Sequence, residues 1–205
     1  MEKFEGEDLK TAIEVDPEVE MLERIKSLES DRLELHPKIK KLLLEGLAQK
    51  YTMEIGGKSP HEYCTDLLKK DKELDDDVKD IIYRMGPSKT PINREIHDFI
   101  FVLPNDIGFE GKSFTREEIY ERAKQLNLDL CPPETGPEFG LLDKGIGQHI
   151  DIGMEPIIDS EGIPRIFNVS HDSSRVYTRK ATDPKLHPAW GWLFELRKKV
   201  ETKEG

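Results

Sequence analysis

His149 and Asp151 stand two residues apart in an alternating stretch, so a strand would present both side chains on one face. Ser170 and Asp172 hold matching positions in a second alternating stretch nearby. An imidazole, two carboxylates and a hydroxyl gathered in this way can bind a divalent metal or move protons in a hydrolysis. A plainer account competes with that chemistry, because the outer face of an antiparallel sheet collects polar residues in any protein. Cys131 is the second candidate: it precedes Pro132-Pro133, a rigid setting, and a thiol beside a histidine is a nucleophile. Free cysteines also serve as small buried hydrophobes. Glu134 and Glu138 follow on the same stiff segment, where with Cys131 they are placed to border a small cleft.

Other acidic residues carry less. The run Asp71 to Asp80 lacks the central glycine and the distal glutamate of an EF-hand loop, and it reads as the charged first turn of a helix. No metal-spacing motif, phosphate loop or nucleophile signature is present, so no cofactor is implied and the identity of any metal stays open.

Two alternating runs over 148–172 flank Asp159-Ser160-Glu161-Gly162, a turn with glycine in position for the left-handed region. A four-residue loop would pair Ile158 with Ile163 and set Ile150, Ile152 and Met154 opposite His171, Val169 and Phe167, and it is preferred to a three-residue loop, which would shift the pairing by one and mix the faces. The other face then gathers His149, Asp151, Asn168, Ser170 and Asp172. Strands are also expected at Ile96 to Leu103, Arg175 to Lys180 and Trp190 to Arg197, and Thr115-Arg116-Glu117-Glu118 is a capping box opening a helix that closes at Asn127. The result is an antiparallel sheet packed on one capped helix over 96–199.

The first half is patterned differently. Residues 1–16 read as a poorly ordered tail, and 17–86 as a helical region. Val19, Leu22, Ile25 and Leu28 mark a first helix, and Pro37 to Tyr51 a second. Ser59-Pro60 opens a third, and Val78 to Met85 forms a fourth. Together these predict a small helical bundle. A Gly/Pro-rich linker spans 87–95, and 200–205 is a charged tail, so the overall fold class is α+β.

Charge bounds the partners. The chain of 205 residues carries a net charge of -11, with 36% charged residues. Both halves are acidic, which argues against nucleic acid and favours a protein partner with a basic surface. Only two cysteines, Cys64 and Cys131, are present, and they share no motif. No apolar run approaches the ~20 residues of a membrane span, and the amino terminus lacks a signal peptide's apolar core, so a cytoplasmic setting is expected. Oligomeric state is left open.

Leu130-Cys131-Pro132-Pro133-Glu134-Thr135-Gly136-Pro137, together with Met154-Glu155-Pro156-Ile157, resembles a pattern in a family of small uncharacterised bacterial proteins. The resemblance covers roughly residues 97–199 and leaves the first half unexplained. It implies a bacterial source and a shared fold unit, with no mechanism attached, and His149 is not one of the family's traits. The reading that follows is a protein-interaction or regulatory module without catalytic activity. The alternative is a metal-dependent or acid-base hydrolase built on the 148–172 hairpin.

Overall fold

The computed structural model describes residues 32–70, 74–85, 93–142, 149–170, 175–183, 186 and 189–199. The amino-terminal tail, the helix expected near residues 17–30, most of the linker and the carboxy-terminal tail lie outside the described residues, as does Asp172.

Helix α1 (Pro37–Leu44) starts where His36 accepts a hydrogen bond from Lys38 N at 3.1 Å and buries Ile39, Leu42 and Leu43. It was expected to reach Tyr51. It stops at Leu44 because Gly46 adopts φ +70°, and the next residues form strand β1 (Gln49–Ile55). Within β1, Tyr51, Met53 and Ile55 are buried while Thr52 and Glu54 between them are exposed, which is period two rather than 3.6. Helices α2 (Pro60–Lys70) and α3 (Asp76–Arg84) form where their caps predict. Among the described residues the helical bundle is therefore interrupted by a strand, and β1 joins the main sheet.

Strand β2 (Glu95–Val102) pairs antiparallel with all of β1. A short helix α4 (Pro104–Ile107) follows. Helix α5 (Arg116–Gln125) carries both bonds of the Thr115/Glu118 capping box, and Asn127 closes it at φ 57°. Strand β3 (Leu128–Asp129), helix α6 (Thr135–Gly140) and strands β4 (His149–Ile152), β5 (Ile157–Ile158), β6 (Pro164–Ser170), β7 (Arg175–Lys180) and β8 (Gly191–Leu196) complete the elements of the described residues.

The sheet runs β1-β2-β8-β4-β6-β5, with β3 added on β8 and β7 on β6. It is mixed, since β4 lies parallel to β8 through Ile150↔Gly191 and Ile152↔Leu193. An all-antiparallel sheet was the expectation. Central β8 is buried on both faces, with Trp192 and Phe194 on one and Leu193 on the other. Helices cover both sides. Tyr120 of α5 packs edge-on against Trp192 at 5.8 Å and Phe194 at 6.2 Å, and Phe139 of α6 meets Tyr51 at 5.1 Å on the opposite face. The apolar core is one cluster drawn from both halves of the chain.

The hairpin departs from the expected four-residue loop. Ile158 pairs with Pro164, and Asp159 N donates to Ile163 O at 2.9 Å, which leaves a three-residue loop with Gly162 at φ +83°. The side chain of Asp159 decides this. Its Oδ1 accepts from Glu161 N at 2.9 Å and Ile163 N at 2.7 Å, and its Oδ2 meets Arg165 Nε at 2.6 Å. Further along, Ile150 pairs with Val169 and Asp151 with Asn168. The chain between β4 and β5 leaves the ladder so that Met154 can bridge to Cys131, whose N–H donates to Gly153 O at 2.7 Å. Residues 130–137 and 154–157 thus touch each other through this bridge.

Candidate functional site

Relative to the expected pairing, the β4–β6 register is displaced by two residues, and an even displacement preserves the faces while changing the partners. His149 lies opposite Ser170 and Asp151 opposite Asn168, all on one face. That face was expected to be solvated. Instead Asp151, Asn168 and Ser170 are buried, and of these four only His149 is exposed. The cause is tertiary: α5 crosses this face, with Tyr120 on Trp192 and Arg116 Nη1 donating to Ala181 O at 2.7 Å. Trp192 is the neighbour of Asp151 across the β4–β8 pair.

The buried groups satisfy one another. Asn168 Nδ2 donates to Asp151 Oδ1 at 2.8 Å, and Arg179 Nη1 meets Asp151 Oδ2 at 2.5 Å. Arg179 also approaches Asp183 at 3.5 Å and lies over the Trp190 ring, 4.4 Å from its centroid. His149 Nδ1 is 3.1 Å from Asn168 Oδ1. Because the carboxamide nitrogen faces Asp151, its oxygen must accept, so Nδ1 donates to it. Trp190 and Tyr177 flank the imidazole at 5.2 and 6.4 Å.

Burial pushes the Asp151 carboxyl up to about 6, against the opposing pull of Arg179, Asn168 and His149. A raised carboxyl binds its proton more tightly in the folded chain than in the unfolded one. Its contribution therefore favours folding at acid pH and is lost as pH rises through the folded value. Compared with Asp151→Asn, the native chain should gain about 2 kcal/mol of unfolding free energy between about pH 7.5 and about pH 4.5. Urea denaturation of both proteins at the two pH values measures it; a pH-independent difference would refute the assignment.

Cys131 is buried, and its Sγ donates to Leu193 O at 3.3 Å. Burial raises its thiol well above the usual range, so the candidate nucleophile is a core group, the other of the two readings of this cysteine. Its alkylation by iodoacetamide should be at least about 100-fold slower in native buffer than in denaturant, the folded chain reacting only on opening. Glu134 is likewise fully buried rather than on a rim. Burial first, then the charges of Glu138 and Glu134, pushes the Tyr63 phenol upward, which places both carboxylates around that ring. Glu138 does border a cleft of about 300 Å³, together with Lys58, whose Nζ lies 3.1 Å away. The three residues of the stiff segment therefore do not share one surface.

Sequence reasoning missed Arg179, Tyr177 and Trp190. The alternation of β7 does place Tyr177 and Arg179 on one face, but only the β6–β7 register, Asn168↔Tyr177 and Ile166↔Arg179, brings them beside the cluster. It also missed Asp98, buried on β2, which accepts from Thr52 Oγ1 at 2.7 Å and meets Arg32 at 2.6 Å and Lys50 at 3.3 Å.

Among the described residues, no group of three or more His, Cys, Asp or Glu side chains is arranged to hold a metal ion. Nor is any described helix long and apolar enough to cross a membrane. Comparison with protein-family models, with curated proteins and with solved structures finds no match to this chain.

Proposed function

We propose that this chain is a protein-interaction or regulatory module without catalytic activity of its own, and that its partner offers a basic surface. The observation that carries this reading is the closure of the Asp151 cluster. Both carboxylate oxygens are engaged, by Asn168 and by Arg179, and the group is buried beneath α5. A general base has to reach its substrate's proton, and this one faces its own protein. The net charge of -11 supports a basic partner, since such a field speeds encounter with cationic surfaces. A cytoplasmic setting belongs to the same proposal.

The immobilised chain is expected to retain proteins from a bacterial lysate at about 50 mM salt and to release them by about 500 mM. The association rate with a purified partner should fall at least about tenfold over that range. Retention of nothing, or a rate indifferent to salt, would contradict the reading.

One observation favours a second reading, acid-base hydrolysis. His149 is exposed, and it meets Asn168 through Nδ1, so Nε2 takes no part in that bond, while Trp190 and Tyr177 flank the ring. On that reading His149→Ala would lower p-nitrophenyl acetate hydrolysis by at least about tenfold. Equal rates in the two proteins would remove it.

A further inference from the structure

Among the described residues β1 pairs only with β2, so the other side of Gln49–Ile55 is a sheet edge. In antiparallel pairing alternate residues turn their N–H and C=O away from the partner strand. A strand of seven residues therefore offers outward groups at three or four positions. Natural edges are usually guarded by a charged side chain, often lysine. Lys50 is the lysine of this strand, but its Nζ is drawn 3.3 Å from buried Asp98.

A cleft of about 300 Å³ lies at the later part of this strand. Thr52, Met53 and Glu54 all line it although their side chains alternate between faces, which sets the cleft beside the strand's own backbone. Glu138 of α6 and Leu142 just beyond it border the same space. Such a slot, strand edge on one side and helix on the other, suits an extended chain better than a globular surface. The cations at its border are engaged: Lys58 lies 3.1 Å from Glu138 and 3.3 Å from Asp66, and Arg94 lies 3.4 Å from Glu54. Among the lining residues Glu54 and Glu138 neutralise Arg94 and Lys58, so the attraction for a cationic segment comes from the net charge of -11 of the whole chain.

We propose that the outer edge of β1 receives an extended basic segment of a partner protein, which adds to the sheet as a further strand. Its alternate residues point aliphatic side chains toward Met53 and Leu142 and cationic ones toward Glu54. The proposal rests on the interaction reading above and names the surface that performs it.

Amide hydrogen exchange on the full chain tests it, with a decapeptide of alternating lysine and valine as probe. In the dilute free protein the outward amides of 49–55 should exchange fast. The probe at about 1 mM should slow them at least about tenfold, and about 500 mM salt should reverse this. The same lysine–valine decapeptide N-methylated on every backbone nitrogen has the same charge but no N–H to donate and a methyl group against the ladder, and it should leave them unchanged. Equal protection by both peptides, protection elsewhere in the chain, or none at all would overturn the proposal. So would outward amides already slow in the dilute protein, which would mean that the chain covers its own edge. Protection that instead grows with protein concentration would point to a second copy and also overturn it. Lysate partners that bind in a salt-dependent way yet leave these amides unprotected would spare the interaction reading while removing this edge from it.

Discussion

Trp192→Ala is expected to lower the unfolding free energy by about 4 kcal/mol, within the range for deleting a large buried aromatic side chain. Trp192 is fully buried, stacks on Phe194 at 5.9 Å and receives the edge of Tyr120 at 5.8 Å. It stands where the central strand of the sheet meets the helix that roofs Asp151, so its loss opens a cavity between two layers. Trp192→Phe should behave differently. Among the described residues the indole N–H has no hydrogen-bond partner, and a buried donor left so carries a desolvation penalty. Phenylalanine removes that donor while keeping most of the ring, and the loss should stay within about 1.5 kcal/mol. Urea denaturation of the two variants decides it; equal losses would show that the ring's packing is not what the residue contributes.

A second large effect is expected at Gly136, with the opposite sign from that implied by local propensity. In an exposed helix, glycine to alanine stabilises by about 1 kcal/mol. Gly136 lies in α6 against β6, where an added Cβ would stand 2.3 Å from the Phe167 ring and 2.7 Å from the Phe167 Cβ. A ring can turn aside, but a Cβ is fixed by its backbone, so α6 would have to lift from the sheet. Gly136→Ala should therefore destabilise by about 3 kcal/mol. Gly46→Ala serves as a control: its added Cβ meets nothing within 4 Å, so only the φ of +70° penalises it, by about 1 kcal/mol. A Gly136→Ala protein as stable as the native one in a denaturant titration would show that the close approach is not real.

These two positions also show why part of the chain could be read in advance. Gly136 belongs to the Pro/Gly segment that stood out by composition, and Trp192 to an alternating aromatic run, yet neither showed what it would press against. Period and capping chemistry are local properties. The Thr115/Glu118 box, the Ser59-Pro60 start and the left-handed Asn127 depend on atoms a few residues apart, and each formed where those residues stand. The strand β1 was equally legible, since Tyr51, Met53 and Ile55 alternate with Lys50, Thr52 and Glu54. The leucines of α1 simply carried the helical reading past Gly46.

Register and covering depended on distant parts of the chain. That His149, Asp151, Asn168 and Ser170 share a face follows from the two-residue period of a strand, and it survived the displaced pairing for that reason. Which of them oppose each other was decided by Asp159 binding Arg165 and the turn amides, and by Met154 leaving the ladder to bridge Cys131. Whether the face is wet was decided by α5, more than twenty residues away in sequence. Tyr120 lands on Trp192, and Asp151 is closed in with Asn168 and Arg179 while His149 stays exposed. Hydrophobic period and turn chemistry are written in neighbouring residues; burial of a carboxylate is written only in what folds back over it.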